Sequence, residues 1–186
     1  MVQRMKYNGD GKIVLTYAST EGPWNNPRGN GGIRLLNIAD DSITDITPEK
    51  NGYGDVVIDP ANPDRMVAVT ENVYDQQANG TFGDDFYVTT DGGKTWKNIN
   101  LDMTMSGGDV SWHNESSMHW CSSLAIDPHN TGKIMVVSGN GIFSCDNIWD
   151  EHPAFYFFAE GIEETVPYEL VSIPGGELVT VVGDYD

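Results

Sequence analysis

The eight residues Thr89-Thr90-Asp91-Gly92-Gly93-Lys94-Thr95-Trp96 constrain the fold of this chain more than any other stretch. The residues leading into them, Phe86–Thr89, are aromatic and β-branched and suit a strand. Asp91-Gly92-Gly93 is a turn signal: the carboxylate can accept bonds from backbone N–H groups ahead of it, and the glycines supply positive φ. From Thr95 a strand resumes, with Trp96 as a large apolar plug. The pattern predicts a hairpin closed by an aspartate and pinned by a buried tryptophan. Asp91 thus reads as a turn staple and not as a catalytic acid.

Composition supports an all-β chain. Nine prolines and 21 glycines punctuate short hydrophobic runs, and no long 3.6-residue periodicity interrupts them. A length of 186 residues suffices for one good core or for parts of two domains. The net charge is −18, with arginine only at Arg4, Arg28, Arg34 and Arg65. Such a surface repels nucleic acid and anionic membranes but does not penalise neutral polysaccharide. No apolar stretch reaches the roughly 18 residues of a spanning helix, and residues 1–4 lead into a strand-like segment without a signal peptide. No cofactor is expected. His113, His119, His129 and His152 lack zinc-ligand spacing. Asp84-Asp85 and Asp102 with Asp109 could converge on calcium but read as solvated loop charge, because that ion needs six or more oxygens. Cys121 and Cys145 either bridge neighbouring strands or stay as two buried thiols.

In chain order, 12–18, 32–37 and 42–47 read as three strands, with a turn-rich loop at 21–32. An internal repeat follows. Val56-Val-Ile-Asp-Pro-Ala-Asn aligns with Leu124-Ala-Ile-Asp-Pro-His-Asn, and in each a basic residue and an alternating apolar strand come next. The offset is 68 residues, from Asp59 to Asp127. A looser third copy runs from Leu170 to Val182. Each copy predicts strand, Pro-containing turn, strand, with Asp59 and Asp127 capping the turn. Phe86–Thr89 and Gly141–Cys145 supply third strands, and Ser144-x-Asp146 is a degenerate form of the Asp91 turn. Residues 154–158 read as an outer strand, and their five consecutive apolar residues suggest cover on both faces. Together these elements predict about three propeller blades and a partial fourth.

The motif T-x-D-x-G-x-T-W resembles the Asp-box, or BNR repeat, of β-propellers. A more specific resemblance begins at Glu160-Gly-Ile-Glu-Glu-Thr165 and runs through Val181-Val-Gly-Asp184. This segment is similar to the glycoside hydrolase family 74 xyloglucanases, which carry a G-I-E-E-T element, two strands around a Pro turn, and a V-G-D motif. Thr16-Tyr-Ala, Glu21-Gly-Pro23, Thr44-Asp-Ile-Thr-Pro48, His119-Trp-Cys and Ser138-Gly-Asn-Gly-Ile142 resemble further family elements in the same order.

The resemblance implies tandem seven-bladed propellers with a xyloglucan cleft between them. Residues 1–159 would be the last blades of the first propeller, and 160–186 the opening strands of the second. It implies an extracellular glycoside hydrolase that cleaves the β-1,4-glucan backbone of xyloglucan with inversion. Inversion needs a carboxylic acid and a carboxylate base roughly 6.5–9.5 Å apart. By motif the acid maps to Asp184, with Asp186 as a neighbouring carboxylate and a plain turn residue as the other reading. The base has no counterpart in this chain, so the isolated segment is expected to be inactive and to need the remainder of the parent propellers.

Flat rings stack on pyranose faces, which makes Trp24, Trp112 and Trp120 the candidate sugar contacts. Glu163 is a candidate for hydroxyl binding; Glu164 points to the opposite face of an extended strand. Trp96 and Trp149 read as core. The alternative to an enzyme segment is a non-catalytic propeller module that binds glycan or protein. A sialidase would need an arginine triad, which four scattered arginines do not supply.

Overall fold

Short alternating apolar segments separated by Gly, Pro, Asn and Asp turns fold here into strands alone, and no helix occurs among the described residues. The computed structural model describes residues 2–18, 31–71, 80, 83–106, 118–121, 123–139 and 141–158, together with the backbone of 167–172 and 178–182. The first sheet is an antiparallel meander of β1 (Val2–Tyr7), β2 (Lys12–Tyr17), β3 (Gly32–Asn37) and β4 (Ile43–Asp45). The second repeats that order with β5 (Tyr53–Ile58), β6 (Met66–Thr70), β7 (Phe86–Thr89) and β8 (Lys97–Asn98).

A three-residue strand, β9 (Thr104–Ser106), then crosses to the third sheet, formed by β10 (Ser123–Ile126), β11 (Ile134–Ser138), β12 (Gly141–Cys145) and β13 (Ala154–Phe157). It pairs in parallel with β13 as a fifth strand. A hairpin of β14 (Pro167–Ser172) and β15 (Leu178–Val182) follows, in register for the third copy of the repeat.

The second sheet is covered on both faces, which explains why β6 reads Met-Val-Ala-Val-Thr without polar alternation and is buried throughout. One face carries Tyr53, Val56, Met66, Ala68 and Tyr87 against Val14, Ile33 and Ile46 of the first sheet. The other carries Val57, Val67, Val69 and Phe86 against Leu124, Ile134, Val136, Phe143 and Phe155 of the third. The first sheet buries only one face. On its other face, Tyr7, Ile13, Leu36 and Ile43 form a row across all four strands, and Tyr7 and Ile43 are each 63% exposed.

The first strands of the three sheets lie side by side, β5 between β1 and β10, as blades around a common axis require. Asp55 on β5 ties them together. Its fully buried carboxylate accepts N–H bonds from Val56 (2.8 Å) and from Leu124 of β10 (2.9 Å), and Lys6 and Arg4 of β1 approach to 3.7 and 3.9 Å. A bulge between Tyr53 and Asp55 shifts the register just before this residue.

The repeat holds at the level of single hydrogen bonds. Asp59 Oδ1 accepts from Ala61 N–H (2.8 Å) and Asn62 N–H (3.3 Å), and Asp127 Oδ1 accepts from His129 N–H (2.8 Å) and Asn130 N–H (3.3 Å). Both turns close with a 2.9 Å bond, Asp59 N–H to Arg65 O and Asp127 N–H to Lys133 O.

The Asp91 turn is also as expected. Asp91 accepts from Thr89 Oγ1 (2.8 Å), Thr95 N–H (2.9 Å) and Thr95 Oγ1 (2.6 Å), while Gly92 and Gly93 take φ of 74° and 84°. Trp96 is half-buried rather than enclosed, and its indole N–H donates to the Ile46 carbonyl of the first sheet at 2.7 Å. Trp149 is half-buried too. It packs on the larger core, donates to Thr131 O (2.8 Å) and lies under the Arg65 guanidinium. Cys121 and Cys145 are both free and buried.

Two further expectations need correction. Residues 154–158 are not covered on both faces: Phe155 is fully buried, but Tyr156 and Phe158 are 46% and 56% exposed. The strand alternates in the ordinary way, and β9 covers its edge, not its outer face. Asp84 and Asp85 are not solvated loop charge, since they are 1% and 4% exposed. Asp84 escapes an unpaired burial by accepting from Thr70 Oγ1 and Cys121 N–H, both at 2.7 Å.

Two outcomes follow from these contacts. Asp55→Ala leaves two buried N–H donors without an acceptor, so it should cost about 2–4 kcal/mol in urea unfolding, with Asp55→Asn costing less. The Asp91 carboxyl is drawn down to about 2, chiefly by the Thr95 hydroxyl. Its folded-state value lies below the unfolded one, so its stabilisation is complete above about pH 4 and is lost as pH falls towards 2. The slope of Tm against pH across that window should flatten in Asp91→Asn.

Candidate functional site

The ends of the sheets away from the Asp59 and Asp127 turns meet in a continuous rim. Gly31 packs so closely on Gly52 that a Cβ there would lie 2.6 Å from the Gly52 α-carbon. Glu71 N–H donates to Gly52 O (3.1 Å), and a Cβ on Gly54 would meet Cys121 O at 3.0 Å. The half-buried Tyr17, Glu71 and Trp120 therefore lie at one end of the sheets, over the buried Asp84, Met118 and Cys121. At its edge a groove of about 600 Å³ is lined by Tyr17, Gly31, Arg34, Asp45, Thr47 and Pro48, among others. Arg34 stacks 5.0 Å from the Tyr17 ring centre and pairs with Asp45 at 2.6 Å. The Thr47 hydrogen bonds, more than Arg34, lower the Asp45 carboxyl. Burial pushes the Glu71 carboxyl up, against the pull of Arg4.

Segment 118–121 is clamped at both ends by one residue. Asp84 N–H donates to Met118 O (2.8 Å), and the Asp84 carboxylate receives Cys121 N–H. Burial, with the Asp84 charge added, holds the Cys121 thiol well above its ordinary value and keeps it protonated. Between the clamps, Trp120 adopts φ 53°, a left-handed backbone that costs a bulky residue about 1–3 kcal/mol. Its half-buried ring rests on Gly139, at the start of the β11–β12 turn, and meets the His119 ring edge-on at 5.2 Å. Gly139 N–H donates to His119 O at 2.8 Å.

Of the residues expected to act, Trp120 is the one the structure describes, and it lies on this rim. Trp24, Trp112, Glu163 and Asp184 fall outside the described residues. The strands that border the segments of Trp24, Trp112 and Glu163 do reach the same rim: Tyr17 and Gly32 on either side of 19–30, Ser106 before 107–117, and Phe157 before 159–166. Sequence reasoning missed Asp55, the Asp84 clamp and Gly139. An aspartate inside the apolar run Tyr-Gly-Asp-Val-Val-Ile was the available signal for Asp55, since a carboxylate there must be paired. The left-handed backbone at Trp120 left no trace in the sequence.

No family model matches the chain. It is 25% identical over 232 residues to an oligoxyloglucan-reducing end-specific xyloglucanase of Emericella nidulans, covering 94% of this chain and 28% of that protein. It is 29% identical over 208 residues to a xyloglucanase of Acetivibrio thermocellus, covering 94% and 24%. Among solved structures it superposes on the GH74 enzyme of Niastella koreensis with a TM-score of 0.80 and 34% identity, over 99% of this chain and 27% of that one. The GH74 xyloglucanase of Xanthomonas campestris gives 0.76 and 27%, over 100% and 27%. The chain thus spans about a quarter of the length of the proteins it matches. Collinear similarity in sequence and in β-propeller fold, across nearly every residue, makes this chain a glycoside hydrolase family 74 xyloglucanase-like segment.

Proposed function

We propose that the chain is part of an extracellular β-1,4-glucanase that hydrolyses the backbone of xyloglucan with inversion. The observation that carries this reading is the similarity to xyloglucanases over 94–100% of the chain, by sequence and by fold alike. In this reading the three sheets are the last blades of one propeller, residues 1–159, and residues 160–186 open a second. The apolar row Tyr7, Ile13, Leu36 and Ile43, exposed at its two ends and half-buried between them, is the packing face for a further blade of the parent, as the second sheet is packed by its neighbours.

Asp184 is the general acid. A carboxyl facing a cleft between two propellers is kept protonated by desolvation and by nearby carboxylates, and it protonates the departing glycosidic oxygen. A base from outside this chain activates water on the opposite face of the sugar. Trp24, Trp112 and Trp120 stack on the glucan, and Glu163 binds sugar hydroxyls. The net charge of −18 suits a neutral polymer.

The test is hydrolysis of tamarind-type xyloglucan by the full-length protein. Asp184→Asn should lower kcat by about 10²–10⁴-fold, with KM and the unfolding midpoint little changed. Full activity in that variant excludes Asp184 as the acid. An inactive parent that still binds the polymer leaves a glycan-binding propeller module in place of an enzyme.

A further inference from the structure

We infer that Gly139 is a positioning residue that fixes the Trp120 ring as a preset stacking platform for a neutral pyranose. This rests on the glycan-binding reading above and adds to it the device that holds the ring. A left-handed backbone at tryptophan is strained, and such strain persists only where the surroundings over-determine it. Here they do. Segment 118–121 is anchored on Asp84 at Met118 and at Cys121, and Gly139 N–H holds the His119 carbonyl. His119, itself 7% exposed, stands edge-on to the indole at 80°.

The ring is seated directly on Gly139. A Cβ on Gly139 would lie 2.6 Å from Trp120 Cε3, 3.1 Å from its Cβ and 3.3 Å from Cδ2. Gly139 itself does not take a left-handed φ. Alanine therefore fits the Gly139 backbone, and the three nearest atoms it would meet all belong to the Trp120 side chain, the ring atom Cε3 closest. The need for glycine at 139 is a need of the Trp120 side chain, whereas most glycines serve their own backbone. An aromatic ring pinned this way loses little freedom on binding, and preorganisation of that kind raises affinity. The ligand class is a β-linked neutral glycan, whose equatorial substituents leave flat C–H faces for an indole, on a protein whose negative charge disfavours acidic sugars.

Titration calorimetry with a xyloglucan oligosaccharide on a cellotetraose backbone, applied to the full chain, tests this. Gly139→Ala should weaken binding roughly tenfold, as should Trp120→Ala, with far-UV circular dichroism unchanged. Trp120→Phe in the Gly139→Ala background should regain most of the affinity, because phenylalanine keeps a stacking face without the indole edge at Cε3. A merely structural glycine would show no such rescue. Equal affinity in wild type and Trp120→Ala overturns the platform and leaves the glycan-binding reading standing. Absence of binding by the wild type overturns both. Should Gly139→Ala fail to fold, Trp120→Ala, which leaves the glycine untouched, decides.

Discussion

The carboxylate of Asp55 is the point on which the three sheets depend. Adjacent blades of a propeller do not share ladder hydrogen bonds, so the first strand of each has an edge with no sheet partner. On β10 the Leu124 N–H is such a group, and it is buried. An apolar residue at position 55 would pack well but leave that donor orphaned, at a cost of about 1–3 kcal/mol. A carboxylate accepts it, accepts Val56 N–H from its own strand, and draws Lys6 and Arg4 from β1. The two cations are about 40% exposed on their side chains, so the N–H bonds carry more of the stabilisation than the ion pairs do. Asp84 repeats the solution one layer outward, where its main chain and carboxylate together hold segment 118–121.

The other aspartates do local work. Asp59 and Asp127 make the same pair of Asx bonds at the same distances, although Asp59 is buried and Asp127 only half-buried. The turn therefore derives from the Ile-Asp-Pro-x-Asn sequence itself and not from its surroundings. The degenerate turn after β12 shows the reverse. It lacks the Gly-Gly pair and the second threonine of the Asp91 turn, yet Ile148 N–H still reaches Gly132 O at 2.8 Å, as Gly92 N–H reaches Asp64 O at 2.9 Å. Tertiary position preserves the bond after the local signal has decayed.

This difference decides what could be read in advance. Most of the strands, the repeat and the Asp91 turn were legible because each is specified within a dozen residues by alternation and turn chemistry; β1, Val-Gln-Arg-Met-Lys-Tyr, was not assigned, because polar residues fill half of it. β9 was not: three residues, Thr104-Met105-Ser106, are too few to show a period, and their partner β13 lies 50 residues away. The burial of Asp84 and Asp85 was not legible either, since it depends on Thr70 and on Cys121, one behind and one far ahead in the chain. Of the candidate site, sequence could nominate Trp120 as a loop aromatic, but the backbone that aims it is set by Asp84 and Gly139 together.

Connection length separates the two ends of the sheets. Away from the rim, the links at 8–11, 59–65 and 127–133 are short and stapled by Asn8, Asp59 and Asp127. At the rim, residues 18–31 join β2 to β3 and 71–85 join β6 to β7. Long connections borne on a rigid scaffold are where recognition is ordinarily built. The β11–β12 link breaks this pattern, because only residues 139 and 140 join the strands. A link that short leaves the rim low at that point, and segment 118–121 lies down on it with the Trp120 ring against Gly139. The brevity of this one turn is what converts a loop tryptophan into a fixed surface.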